Sequence, residues 1–215
     1  MNPALFLIIL IAVTVIISFK GFEDSYFFSK YQFHIGSIRK GEHIRMITSG
    51  FLHADIAHLA FNMLSLYFFA PVVYGELGNY SFLLIYFASL IFGSMLTLYL
   101  HKNDYYYSAI GASGAVTGII YSAILLDPNL QIFLFFIPIP IPAYLFGIGY
   151  LLYSIYGMKA KNDNIGHTAH FGGAIGGYLF TILVHHQILL ENTFMVVALT
   201  IPIVIMAVMA KQGKL

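Results

Sequence analysis

The chain has 215 residues, of which 60% are hydrophobic and only 9% charged, with ten Lys and Arg against nine Asp and Glu. Soluble domains carry roughly 25% charged residues, so this composition excludes a water-soluble globule and identifies an integral membrane protein. The absence of cysteine excludes a disulfide framework and a thiolate metal site, while a net charge of +1 says nothing about partners.

Apolar runs that cross, or nearly cross, a hydrocarbon layer about 30 Å thick lie at 4–19, 55–74, 80–100, 113–126, 131–157, 167–185 and 193–210. They predict an all-α polytopic bundle of about seven transmembrane helices. The bundle forms a single membrane domain over residues 1–215, with a core at about 4–185 and an extra C-terminal span at about 193–210. The first run lacks a basic start and a small-x-small cleavage site, so it reads as a span and not as a signal peptide. The Ile-Pro-Ile-Pro-Ile-Pro stretch reads as an extended entry to the fifth helix, because proline fixes φ and pushes the residue before it toward extended backbone.

Polar side chains are costly in lipid and are candidate functional groups wherever they occur inside a span. The second run contains His58 and Asn62, the fourth opens on Gly111-Ala112-Ser113-Gly114, and the sixth contains His167 and His170 followed by Gly172, Gly173, Gly176 and Gly177. These three runs have equal parity, and in each the polar groups fall in the first two turns. Counting crossings therefore places His58, Asn62, Ser113 and His170 near one face of the bilayer. At 1.5 Å per residue a helix over 113–126 is roughly 21 Å long, which sets Ser113 below the membrane surface. The preceding backbone, Ser108 to Ala112, is expected to enter as irregular chain covered by protein or by a wet cavity. Gly114 and Gly118, with Gly172 and Gly176 or Gly173 and Gly177, are small-xxx-small pairs that let the fourth and sixth helices approach closely.

That approach would bring the His170 imidazole to the Ser113 hydroxyl. A serine is a weak nucleophile until a base takes its proton, and neutral histidine is the usual base. Attack on an amide carbonyl develops negative charge on oxygen that needs donors already in place. His58, Asn62 and the backbone N–H of Ser113 are the available donors. Asp163 is the one acid near enough in sequence to stand behind His170, and a dyad is expected in preference to a triad. His167 and His170 stand at i and i+3, but no carboxylate or cysteine completes a metal site and His-Glu-x-x-His is absent.

Together these residues resemble the rhomboid family of intramembrane serine proteases. Gly111-Ala112-Ser113-Gly114 is similar to its nucleophile motif, and Ala169-His170-Phe171-Gly172-Gly173 with Gly176-Gly177 is similar to its general-base helix. His53, His58 and Asn62 are similar to its His-x4-His-x3-Asn pattern. The likeness runs from about Gly41 to His185 and includes Arg45 and Gly75-Glu76-Leu77-Gly78. It implies hydrolysis of a peptide bond in or beside a transmembrane segment by Ser113 as nucleophile and His170 as general base, with His58 and Asn62 in the oxyanion hole. It implies transmembrane protein substrates and the lipid bilayer as partners, no nucleic acid, no cofactor and no metal. A lateral gate is implied at Pro142 to Tyr156 and Gly157 to Gly166. The bacterial-type pattern implies a multi-pass protein of the bacterial inner membrane.

The chain departs from the family in two places. Ile44-Arg45 stands where a Trp-Arg pair is typical, and Thr117 stands four residues after the nucleophile, where an aromatic ring often supports the histidine. Orientation is open: all ten Lys and Arg fall on one side by parity, which the positive-inside rule makes cytoplasmic, whereas the resemblance implies that the same side, with the site, faces the exterior. Each residue also has an ordinary reading, since a serine among small residues commonly serves packing and His58 or Asn62 could bridge helices. The function of another class that fits this scaffold is a catalytically inactive protein that binds or escorts transmembrane helices.

Overall fold

The computed structural model describes residues 4–133, 139–160 and 165–214. The fold is an all-α polytopic membrane bundle. Helix α1 (Ala4–Glu23) is followed by a folded connection containing α2 (Ser25–Tyr31), β1 (Phe33–His34), α3 (Ile35–Arg39) and α4 (Arg45–Thr48). Helix α5 spans Ile56–Leu100 and breaks at Gly78, whose φ of 79° and ψ of 166° are open to glycine and strained for other residues. It is therefore two helical arms, 56–77 and 79–100, matching the second and third apolar runs. Strand β2 (Ser108–Ala109) leads into α6 (Ser113–Leu126). Strands β3 (Gln131–Ile132) and β4 (Ile141–Pro142) precede α7 (Ala143–Ala160), so among the described residues the helical part of the fifth run starts at Ala143. The extended entry expected from the Ile-Pro repeat is seen at Ile141–Pro142, and residues 134–138 lie outside the described part. Helices α8 (His167–Val184), α9 (Ile188–Glu191) and α10 (Thr193–Lys211) complete the chain.

Polarity is arranged for lipid. Exposed positions of α10 include Phe194, Val197, Ile201, Val204, Ile205 and Val208, a stripe at helical spacing, while Ser89, Ser94, Thr97, Thr117, Ser122 and Thr181 are buried. With lipid outside, close packing and interhelical hydrogen bonds take over the role that water exclusion plays in soluble cores.

Helix α8 lies at the centre, packed on both α6 and the second arm of α5, and its paired glycines serve both contacts. A Cβ on Gly173 would overlap the carbonyl of Gly114, and one on Gly177 the carbonyl of Gly118. A Cβ on Gly172 would press on the Phe92 carbonyl and the Gly93 Cα, and one on Gly176 on the Ser89 Cα. The alternatives left by the sequence are thus resolved: 173 and 177 face α6, whereas 172 and 176 face α5. Helix α7 docks outside this trio, held by the Tyr121 hydroxyl, which donates to the Gly147 carbonyl, and by His167, whose ring fills the notch left by Gly157.

Gly173→Ala is expected to lower stability by about 1–3 kcal/mol, the usual cost of overpacking. Gly149→Ala, on an open face of α7 with nothing within 4 Å, should raise it by about 0.5–1 kcal/mol. Thermal melts of the detergent-solubilised variants measure both.

Candidate active site

Ser113 is the first residue of α6, so its N–H belongs to the helix-terminal set that has no partner within the helix. Its side chain meets α8: the Ser113 Oγ and the His170 Nε2 are 2.6 Å apart. His170 is buried, and its Nδ1 lies 2.7 Å from the hydroxyl of Tyr150 on α7. Asp163, the acid considered from the sequence, lies outside the described residues.

On the other side of the serine stands the first arm of α5. Asp55 caps it, accepting from the His58 N–H at 2.7 Å. The Ala54 N–H donates to Nδ1 of His58 at 3.4 Å, which leaves Nε2 as the nitrogen that carries the hydrogen in the neutral ring. That edge of the ring faces Gly111: a Cβ there would come within 2.9 Å of the His58 Nε2 and 3.6 Å of the Ser113 Oγ. Gly111 also has a φ of +117°, so both space and backbone demand glycine. Asn62 is buried one turn further along the helix. One amide hydrogen is placed on the His58 carbonyl at 2.9 Å, and the other remains to donate. The structure thus brings Ser113, His170 and His58 together around Gly111, with Asn62 on the His58 side.

The chain entering Ser113 is less irregular than expected. Phe33 and His34 pair antiparallel with Ala109 and Ser108, the Ile35 N–H donates to the Tyr107 carbonyl, and the Gly111 N–H donates to the Ser49 carbonyl at 3.0 Å. The last N–H before the serine, that of Ala112, donates to Nε2 of His53 at 3.3 Å. His53 is fully buried, and burial pushes its imidazole down to about 3. Being neutral with Nε2 as acceptor, it carries its hydrogen on Nδ1, which donates to the Ser18 Oγ at 2.8 Å, and Ser18 in turn donates to the Phe51 carbonyl at 2.8 Å. His53 therefore holds the nucleophile loop from behind.

Arg45 secures the connection that supplies these partners. Its Nε donates to Glu42 at 2.7 Å, and one terminal nitrogen donates to the carbonyls of Ser29 at 2.7 Å and Gln32 at 3.1 Å. The loop is pinned without the tryptophan that the family often places at 44, where Ile44 is exposed. Tyr150 was not singled out from the sequence. Its signal was a tyrosine inside a span, whose polar tip must find a partner, together with the missing aromatic at Thr117.

Comparison with known proteins gives the family. The family model described as the Rhomboid domain matches residues 40–187, and the chain belongs to the rhomboid family. It is 30% identical over 175 residues to RHOMBOID-like protein 12, mitochondrial, of Arabidopsis thaliana, covering 74% of this chain and 52% of that protein. It is 34% identical over 148 residues to the putative rhomboid protease YdcA of Bacillus subtilis, covering 68% and 69%. It is 31% identical over 140 residues to Rhomboid protein 1, mitochondrial, of Saccharomyces cerevisiae, covering 64% and 40%. The chain spans about half the length of the Arabidopsis protein and less of the yeast one. Family membership supports a function of the intramembrane-protease type. An integral membrane protein is what the relatives and the apolar helices support. With mitochondrial proteins among the relatives, the expected placement in a bacterial inner membrane is not supported.

Because His53 is neutral when folded, it contributes stability that is full above its unfolded value near 6.5 and is lost as pH falls toward about 3. The melting temperature should drop across that window, and less so in His53→Asn. Gly111→Ala should abolish reactivity of Ser113 toward a fluorophosphonate probe, as followed by in-gel fluorescence.

Proposed function

We propose that this chain is a serine endopeptidase that cleaves peptide bonds in or next to transmembrane segments of other membrane proteins, with Ser113 and His170 as a catalytic dyad. The observation that carries this reading is the 2.6 Å approach of the Ser113 Oγ to the His170 Nε2 at the half-buried first turn of a short helix. A hydroxyl and an imidazole at that distance inside an apolar medium form the pair required for nucleophilic catalysis.

In the proposed reaction the Ser113 Oγ attacks the carbonyl carbon of the scissile bond as its proton passes to the His170 Nε2. The oxyanion is stabilised by the Nε2–H of His58, the amide of Asn62 and the N–H of Ser113, aided by the positive end of the α6 dipole. Collapse of the tetrahedral intermediate breaks the C–N bond, and His170 returns the proton to the leaving amine. Water then gives a proton to His170 and attacks the acyl-serine ester. The second collapse frees the carboxyl product and restores Ser113.

The low dielectric around α6 strengthens each of these donor contacts relative to water. Glycine at 111 keeps the space between His58 and Ser113 clear of any side chain, which is where the reacting carbonyl would sit.

The test is labelling of the detergent-purified protein with a fluorophosphonate, alongside cleavage of a reconstituted transmembrane substrate. Wild type should react, and Ser113→Ala and His170→Ala should not. Asn62→Ala should lower the cleavage rate about 10²–10³-fold, as expected for loss of one oxyanion donor. A folded wild type that neither labels nor cleaves would overturn the protease reading in favour of a helix-binding relative without activity.

A further inference from the structure

We infer that Ser18, on α1, is a positioning residue for the reaction of Ser113: it sets the ring of His53, and that ring sets the peptide leading into the nucleophile. This inference deepens the protease reading given above and rests on it.

The first observation is where the Ser18 hydroxyl goes. Thr14, Ser89, Thr97, Thr117 and Thr181 each donate to the carbonyl four residues earlier in their own helix, a common way for a hydroxyl to be satisfied inside a helix. Ser18 is fully buried one turn after Thr14 on the same face of α1. Its partners are instead the Phe51 carbonyl and the His53 Nδ1, 33 and 35 residues further along the chain and both at 2.8 Å. Gly21, in the next turn, lets the two segments meet, since a Cβ there would come within 2.9 Å of the Leu52 side chain. Helix α1 is therefore docked on residues 51–53 by a hydroxyl and a missing side chain.

The direction of each hydrogen bond follows from one fixed donor. The Ala112 N–H points at the His53 Nε2 at 3.3 Å, so Nε2 accepts and the single hydrogen of the neutral ring is on Nδ1. Nδ1–H donates to the Ser18 oxygen, and the Ser18 hydrogen goes to the Phe51 carbonyl. With alanine at 18 the buried Nδ1–H would lose its acceptor, and a buried donor without a partner is unfavourable. Moving the hydrogen to Nε2 would set it against the Ala112 N–H, donor against donor. Either way the hold on Ala112 weakens.

That hold matters because of what flanks it. Gly111, at a φ of +117°, is free of the Cβ that confines other residues, so its own backbone does little to fix the next peptide plane. Its N–H is held separately, by the Ser49 carbonyl at 3.0 Å. Beyond Ala112 the helix takes over, with the Ala112 carbonyl accepting from the Val116 N–H at 2.9 Å. The Gly111–Ala112 peptide lies between these two anchors and gives its N–H to His53. Ser113, which supplies both the attacking Oγ and an oxyanion donor, follows directly. A displacement of about 1 Å in a reacting group can cost about a hundredfold in rate.

The test compares wild type with Ser18→Ala, Ser18→Thr and Thr14→Val in detergent, reading the rate of fluorophosphonate labelling, kcat and KM for a reconstituted transmembrane substrate, and melting temperature. Ser18→Ala should slow labelling and lower kcat by at least about tenfold with KM close to wild type, the pattern of a contact that matters in the transition state. Ser18→Thr returns the hydroxyl and should restore the rate. Thr14→Val removes a hydroxyl bonded within α1 and should react as wild type does.

Two measurements follow the relay itself. Amide hydrogen exchange, read by NMR on protein labelled with ¹⁵N-alanine and ¹⁵N-glycine, should quicken at Ala112 in Ser18→Ala and stay at the wild-type rate at Gly111. A general loosening of the bundle would quicken both. In wild type labelled with ¹⁵N-histidine, the His53 ring should carry its hydrogen on Nδ1, a measurement that needs no variant to fold. Wild-type rates in Ser18→Ala, an equal loss in Thr14→Val, equal quickening at Ala112 and Gly111, or an Nε2–H ring at His53 in wild type would each overturn the inference while leaving the protease reading intact. A folded wild type that neither labels nor cleaves overturns the protease reading, and with it the part assigned to Ser18, whatever the state of His53.

Discussion

The contact on which the structure depends is the one between the backbones of α8 and α6. Gly173 and Gly177 lie so close to the carbonyls of Gly114 and Gly118 that no side chain fits between them, and that approach sets the 2.6 Å separation of Ser113 and His170. In water such an interface would gain from excluding solvent from larger side chains. In lipid the gain comes from van der Waals fit, and the closest fit is between helices stripped of Cβ atoms. The second pair, Gly172 and Gly176, applies the same solution toward α5, so α8 is held on two sides and the imidazole has little freedom to drift.

The second constraint is the demand that buried backbone be hydrogen-bonded. The chain before Ser113 meets it by borrowing partners from the connection after α1: a strand pair at Phe33 and His34, the Ser49 carbonyl, and the ring of His53. Arg45 holds that connection in place through two carbonyls and Glu42. A long loop that appears dispensable in a hydropathy plot is thus the scaffold of the nucleophile.

Much of this was legible in the sequence, for identifiable reasons. Lipid turns hydrophobic periodicity into helix placement, and a polar residue inside an apolar run stands out, so Ser113, His170, His58 and Asn62 could be grouped by depth before any coordinates. Glycine spacing gave the neighbouring helices but not their assignment, because 172/176 and 173/177 carry the same pattern on adjacent faces of α8. The pairing of Ser108 and Ala109 was missed because two-residue strands leave no periodicity. The Tyr150 contact was missed because one tyrosine among sixteen gains meaning only when α7 is packed against α8. The break at Gly78 falls in the gap between the second and third apolar runs, and Asp163 lies outside the described residues.

The relay from the Ala112 N–H through His53 to Ser18 ends on α1, a helix that lies before the region matched by the family model, residues 40–187. What α1 gives to the site is a single hydroxyl at a single depth. The rest of its inward face is packing: Leu7, Leu10 and Gly21 are buried, and a Cβ on Gly21 would come within 2.9 Å of the Leu52 side chain. The border of recognisable family sequence and the border of the working unit are therefore different, and a chain cut at residue 40 would carry every motif residue while losing the acceptor that keeps His53 turned toward the nucleophile loop.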